Sequence, residues 1–140
     1  MNSSTRKTGN AEIRYFRQRL DSNREVALAF LHRVEQERQR LNDNRPSDVG
    51  DFCIQTASRE YLFERSSQQR QLLRRVEMAL RRIESGAYGE CIACSDEINH
   101  KRLVAMPWTE YCLQCQEERE RWARTPQSAA SGGRDESSMR

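Results

Sequence analysis

The 140-residue sequence contains no run of about 18 apolar residues and no apolar leader-like segment near its start, so neither a membrane span nor export is expected. A soluble, cytoplasmic protein without a membrane partner follows as the expectation. Aromatic residues make up only 7% and apolar residues 36%, and the mean hydropathy of −0.99 is too low for a globule with one thick core. Breakers are scarce, with three prolines and six glycines, which leaves room for long uninterrupted helices. Charge of one sign is also lacking. A net charge of +3 gives no footprint for bulk nucleic-acid binding. There is no phosphate loop, no HExxH and no Ser/His/Asp arrangement, and His32 has no identifiable partner. An enzyme is not expected.

What the sequence does have is charge of both signs, 32% of residues, with Leu, Arg, Glu and Gln dominating its middle, a composition that suits long solvent-washed helices paired along a narrow seam. Residues 1–10 and 125–140 are rich in Ser, Gly and Thr without apolar period, and both are expected to be disordered tails. Between them, Ile13, Phe16, Leu20, Ala27, Phe30, Val34 and Leu41 recur at three- and four-residue steps, with Asn23 and Glu37 at the skipped seam positions. A helix over 11–42 would be roughly 48 Å long. The pattern returns at Leu62, Ser66, Gln69, Leu73, Val76, Leu80 and Ile83 and stops at Ser85-Gly86, where glycine can take the left-handed helix-ending conformation.

The interruption RPSDVGD at 45–51 joins two segments of matched length, which predicts an antiparallel hairpin over 11–85 with its tip at 44–52. Pairing between chains is the alternative, and the short loop favours neighbours in sequence as neighbours in space. Asp48 and Asp51 lie at that tip. Either one can cap the second helix, a role worth about 1 kcal/mol, but two acids exceed what a cap needs.

Cys91-Ile-Ala-Cys94 and Cys112-Leu-Gln-Cys115 form CxxC, seventeen residues, CxxC. Each pair aims two thiolates at one point, and the two pairs together make a tetrahedron of sulfurs about 2.3 Å from a zinc ion. Such a zinc has no open position and is structural. Segment 86–115 has too few apolar residues to fold unaided, so metal binding is expected to supply its folding energy. Redox dithiols are the competing reading, weakened by the absence of a βαβ pattern. Zinc release on oxidation is a third. His100 lies between the pairs, but four cysteines already fill the site, so it is expected at the surface.

The hairpin with paired acids at its tip, followed by AYGECIACSDEINHKRLVAMPWTEYCLQCQ, resembles the DksA/TraR family of bacterial RNA-polymerase-binding zinc-finger proteins. The resemblance covers roughly residues 11–122. It rests most on YGECxxC, Ile98, Arg102-Leu103, Ala105, Pro107 and CxxCQ. It implies a mainly α fold, a long antiparallel coiled-coil hairpin over 11–85 followed by a small four-cysteine zinc finger and a short C-terminal helix over 86–124. It also implies insertion of the hairpin into the secondary channel of RNA polymerase, where the tip alters the lifetime of open promoter complexes at promoters of the ribosomal-RNA type, without sequence-specific DNA binding. The family's DxxDxA tip matches Asp48 and Asp51, with Cys53 where alanine is usual; a small packing residue is favoured there over a redox switch. Ser95 stands where the family usually has glycine.

Long members of the family respond to guanosine tetraphosphate through basic residues of the second helix and just after the last cysteine. The resemblance places Arg74 and Arg75 among such residues and Leu72 with them as a nucleotide or polymerase contact, whereas Gln68 and Gln116 are neutral where cations are expected, so nucleotide synergy should be weakened. Trp122, in EERERWAR, is expected to anchor the last helix rather than to contact a partner. The chain is therefore expected to be a monomeric regulator of transcription holding one zinc. Two rival classes predict other behaviour: a nucleic-acid-binding zinc protein using the arginines of 70–82, and an oxidation-sensing thiol protein.

Overall fold

The computed structural model describes residues 9–124, so the two expected tails lie almost wholly outside the described residues. Four helices follow one another: α1 Asn10–Asp43, α2 Val49–Glu84, α3 His100–Ala105 and α4 Leu113–Arg124. At 1.5 Å per residue α2 is about 54 Å long. The expected mainly α architecture is the one observed.

Each end of the hairpin helices has a local cause. Gly9 caps α1, and its N–H donates to the Glu12 carboxylate at 3.3 Å. α1 stops at Asn44, just before Arg45-Pro46, because the residue ahead of a proline is pushed out of the helical region. α2 ends in a Schellman motif: Gly86, with φ +76°, donates to the Ile83 carbonyl at 3.2 Å, and Ala87 to the Arg82 carbonyl at 2.9 Å.

α1 and α2 pack against each other within the one chain. Arg17 of α1 pairs with Glu84 of α2 at 3.8 Å near the root, and at the other end Arg59 of α2 donates to the Leu41 carbonyl of α1 at 3.1 Å, which fixes an antiparallel register. Phe16, Leu20, Ala27, Ser66 and Val76 are buried on the expected stripe, and Ala79 joins them from a position the stripe did not include. Two polar seam residues are satisfied by their own helices. Asn23 donates to the Arg19 carbonyl at 2.8 Å and Ser66 to the Phe63 carbonyl at 2.9 Å. Glu37 departs from the expected seam: it is exposed and pairs with Arg40 at 3.6 Å, because a carboxylate gains more from water and a guanidinium than from a dry seam.

Burial is concentrated at the root. There Phe16, Leu20, Val76 and Ala79 meet Tyr88, Cys91, Ile98 and Leu103 of the following segment in one cluster. From 28 to 65 no side chain is buried, and Val49, Phe52, Ile54, Tyr61 and Phe63 are largely exposed. The hairpin is thus a rod with a packed base and a thinly packed far end.

The finger sits on that base. The chain enters it once, at Gly86, and turns back on itself at a single antiparallel bridge between Glu90 and Glu97 before forming α3. The Tyr88 hydroxyl, inside the cluster, donates to the Pro107 carbonyl at 2.8 Å, and burial raises the pKa of that phenol well above its ordinary value. Two arginines reach from the hairpin to finger carbonyls. Arg19 of α1 donates to Val104 at 2.6 Å, and Arg82 of α2 donates to Ala87 at 2.8 Å and also to Glu90.

Candidate metal centre and hairpin tip

The first CxxC turn is built by backbone hydrogen bonds that curl around sulfur. The Cys91 amide donates to Asp96 at 2.8 Å and the Ser95 amide to the Cys91 carbonyl at 2.9 Å, which closes the loop between the first two cysteines. Ser95 closes it in the left-handed region, at φ +62°, the conformation glycine adopts without strain. The second pair is brought across by the Ile92 amide, which donates to the Glu110 carbonyl at 3.0 Å, and by the start of α4. The four sulfurs of Cys91, Cys94, Cys112 and Cys115 then lie within 4.8 Å of one another, with Cys94 and Cys112 3.8 Å apart.

That spacing fits a metal. Four sulfurs about 2.3 Å from one centre in a tetrahedron stand about 3.8 Å apart. The electrostatics agree. Burial opposes ionisation of Cys91, but the amides of Cys112, Cys94 and Ala93 point at its sulfur and bring its pKa down to about 6. The Asp96 amide favours the thiolate of Cys94, yet desolvation and its contacts with Cys91 and the Asp96 carboxyl push it up to about 11, and Cys112 beside Cys115 raises that thiol too. The Cys91 thiolate forms readily, whereas those of Cys94 and Cys115 resist. A divalent cation at the centre removes that resistance, so all four thiolates form together.

His100 is on the surface as expected. It stands edge-on to Phe16, with ring centroids 5.8 Å apart, and its Nδ1 is 3.7 Å from the Glu12 carboxylate. His32 is exposed and faces Gln36 at 3.1 Å.

Some 50 Å along the rod, at about 1.5 Å rise per residue, both tip acids are exposed. Asp48 is the N-cap of α2, its Oδ1 accepting from the Asp51 amide at 2.8 Å. Asp51 reaches back in turn, its Oδ2 accepting from the Ser47 amide at 3.3 Å and from the Ser47 hydroxyl. Those two donors hold the Asp51 carboxyl below the ordinary aspartate range. Asp48 is therefore the cap, as one of the two acids was expected to be, while Asp51 ties down the residue before it, and each keeps an oxygen that no partner occupies among the described residues. Ser47 was missed because only the acids of the turn were considered. Gly50 leaves room for this turn, since a Cβ there would stand 3.2 Å from Asp48 Oδ1. Cys53 is exposed one turn below, so the packing role favoured for it is not what the fold gives.

Leu72 is half-buried against the root cluster, while Arg74 and Arg75 are exposed on α2. Arg75 lines a groove of about 570 Å³ between α2, the finger and α4, together with Arg102, Arg119, Gln116 and three acids, Glu110, Glu117 and Glu120. Gln116 donates to Glu120 at 2.8 Å. Arg74 lies beside it, next to Gln71, Met78 and Glu110. Gln68 is exposed on α2 and lines neither groove. The last helix also corrects an expectation: Arg119 stacks on the Tyr111 ring at 4.3 Å, but Trp122 is 77% exposed and anchors nothing among the described residues.

Comparison with known proteins matches residues 86–121 to the model of the prokaryotic dksA/traR C4-type zinc finger, and the four-cysteine cluster fits the one structural zinc which that description implies. An uncharacterized protein of Aquifex aeolicus is 38% identical over 104 residues, 73% of this chain and 71% of that protein. The RNA polymerase-binding transcription factor DksA of Caulobacter vibrioides is 29% identical over 110 residues, 79% of this chain and 77% of that one. The structure of transcription factor DksA2 from Pseudomonas aeruginosa superposes with a TM-score of 0.69 at 27% identity, covering 89% of this chain and 93% of that one.

Proposed function

This chain belongs to the DksA/TraR family of four-cysteine zinc-finger proteins, and from that premise we propose that it is a non-enzymatic transcription regulator that binds bacterial RNA polymerase. The hairpin enters the secondary channel, and Asp48 and Asp51 act near the active centre to change the stability of open promoter complexes. The observation that carries this reading is the tip: two exposed carboxylates fixed in one hydrogen-bonded turn at the end of a rod about 50 Å long. A polymerase active centre holds magnesium and mobile basic elements, for which rigid carboxylates can compete by charge-assisted hydrogen bonds. Relatives that match about three quarters of this chain carry the name RNA polymerase-binding transcription factor, which supports the partner. The protein acts as a cytoplasmic monomer.

Nucleotide synergy is weak in this reading. Arg74 and Arg75 are available to guanosine tetraphosphate, but the groove that holds Arg75 also presents three carboxylates, and Gln116 offers a neutral amide already bonded to one of them. The test is transcription from a ribosomal-RNA promoter with purified polymerase, with and without this chain. Shortened open-complex lifetime together with chain-dependent polymerase binding supports the proposal. Binding to bare DNA that falls steeply with salt, without polymerase binding, would replace it with a nucleic-acid-binding protein.

A further inference from the structure

The hairpin and the finger are joined covalently at one place, Gly86, and a single connection fixes no angle by itself. Across the joint there are also an apolar contact, which is non-directional, a solvent-exposed pair between Glu12 of α1 and His100 of α3 at 3.7 Å, and two arginines that donate hydrogen bonds to finger carbonyls. Arg19 donates from the face of α1 to the Val104 carbonyl at 2.6 Å. That carbonyl is in the last turn of the six-residue α3, where the helix leaves carbonyls without internal partners and where its dipole favours a cation. The guanidinium is held from behind by Tyr15, whose ring centroid is 5.8 Å away and whose hydroxyl accepts from Arg19 at 3.4 Å. From α2, Arg82 donates to the carbonyls of Ala87 and Glu90, where the chain enters the finger. The two helices of the rod thus grip the finger at separate points, and two directional contacts remove the swing that one would leave.

We infer that Arg19 and Arg82 are positioning residues that lock finger and hairpin into one rigid lever, so that whatever holds the finger also aims the tip. The length of the rod makes the angle matter: the tip is about 36 Å above Arg19, so about 10° of play at the joint moves the acids by about 6 Å. An uncertainty of that size is larger than a hydrogen bond is long. A loose joint would also have to be ordered on binding, which costs affinity. As to what the lever does in transcription, the inference rests on the polymerase-binding reading above; as to its stiffness, it stands alone.

The experiment is a distance measurement between spin labels on Cys53, at the tip, and on Lys101→Cys, exposed on α3, in the zinc-loaded full chain. A narrow distribution is expected with both arginines present, and a width at least about doubled in Arg19→Ala or Arg82→Ala, with one zinc per chain retained, since each removal frees several ångströms of travel. Unchanged widths overturn the inference. Loss of zinc or of helicity in both variants also overturns it, because the arginines would then be needed to fold rather than to aim. On polymerase, Arg19→Ala should require about tenfold more protein for half-maximal effect and reach the same plateau. If the unaltered chain does not bind polymerase, the proposed function fails while the distances still decide the lever.

Discussion

The Asp51 amide donates to the Asp48 carboxylate at 2.8 Å, so the two acids of the tip are parts of one device and not independent charges. Asp48 starts the helix on which Asp51 stands, and Asp51 turns back to fix the residue before Asp48.

Asparagine also caps helices, so Asp48→Asn/Asp51→Asn should keep the hairpin folded, with stability changed by less than about 1 kcal/mol, and keep polymerase binding while abolishing the effect on open complexes. Filter binding or footprinting of open complexes, alongside a binding assay, checks this. Loss of binding as well would make the tip an anchor. Asp48→Ala adds the loss of the cap, about 1 kcal/mol, visible as fraying of the amides just after it.

The Asp51 carboxyl is depressed by the Ser47 hydroxyl and amide. A depressed acid stabilises the fold above its unfolded pKa, and the contribution is lost as pH falls through its folded value. Carboxyl NMR should therefore show Asp51 titrating below an ordinary aspartate, with order at the tip lost only in that acidic window. Ser47→Ala should move the titration back up; an unmoved midpoint would mean that the Ser47–Asp51 contact does not form in solution.

Zinc removal should unfold the finger and loosen the root together, because Cys91 shares a cluster with Phe16, Leu20 and Val76. A chelator should release one zinc per chain, and the affinity should fall as pH falls, since protons compete for the thiolates. Metal titration with an indicator dye, followed by circular dichroism, reads both. A finger that keeps its fold without metal would contradict the account.

Phe16→Ala should cost about 3–5 kcal/mol, because it empties the centre of the root cluster. Trp122→Ala should stay within about 0.5 kcal/mol, because nothing among the described residues covers that ring. Thermal melts of the two variants make the comparison.

Guanosine tetraphosphate should strengthen the effect on a ribosomal-RNA promoter by well under about tenfold, given the acids that face Arg75. A tenfold gain or more would refute the weakened pocket.

The metal site was legible because CxxC spacing is local: the chemistry of two turns determines where four sulfurs point. The rod was legible because a seam repeats, and Phe16, Leu20 and Val76 lie where its period puts them. What the period could not reveal is where repetition ends. Tyr88, Ile98 and Leu103 follow no repeat, and their burial depends on contacts with α1 more than seventy positions away in the sequence. Segment 86–115 was therefore expected to depend on zinc alone, whereas it also rests on the rod. Trp122 was misjudged for the same kind of reason, since an indole's surroundings depend on where α4 stops touching the finger. Ala79 is buried although it lies outside the stripe, whose steps run from Val76 to Leu80 and Ile83.

The uneven burial of the rod has an evolutionary consequence. Because side chains between 28 and 65 are at most half-buried, most substitutions there lose less folding energy than those at the root, so that stretch is freer to drift or be selected for fit to another surface. A saturation library selected only for folding should tolerate most changes across the upper rod and reject most at Phe16, Leu20, Tyr88 and the four cysteines, and the positions where a selection for activity is stricter than one for folding would trace the partner's footprint.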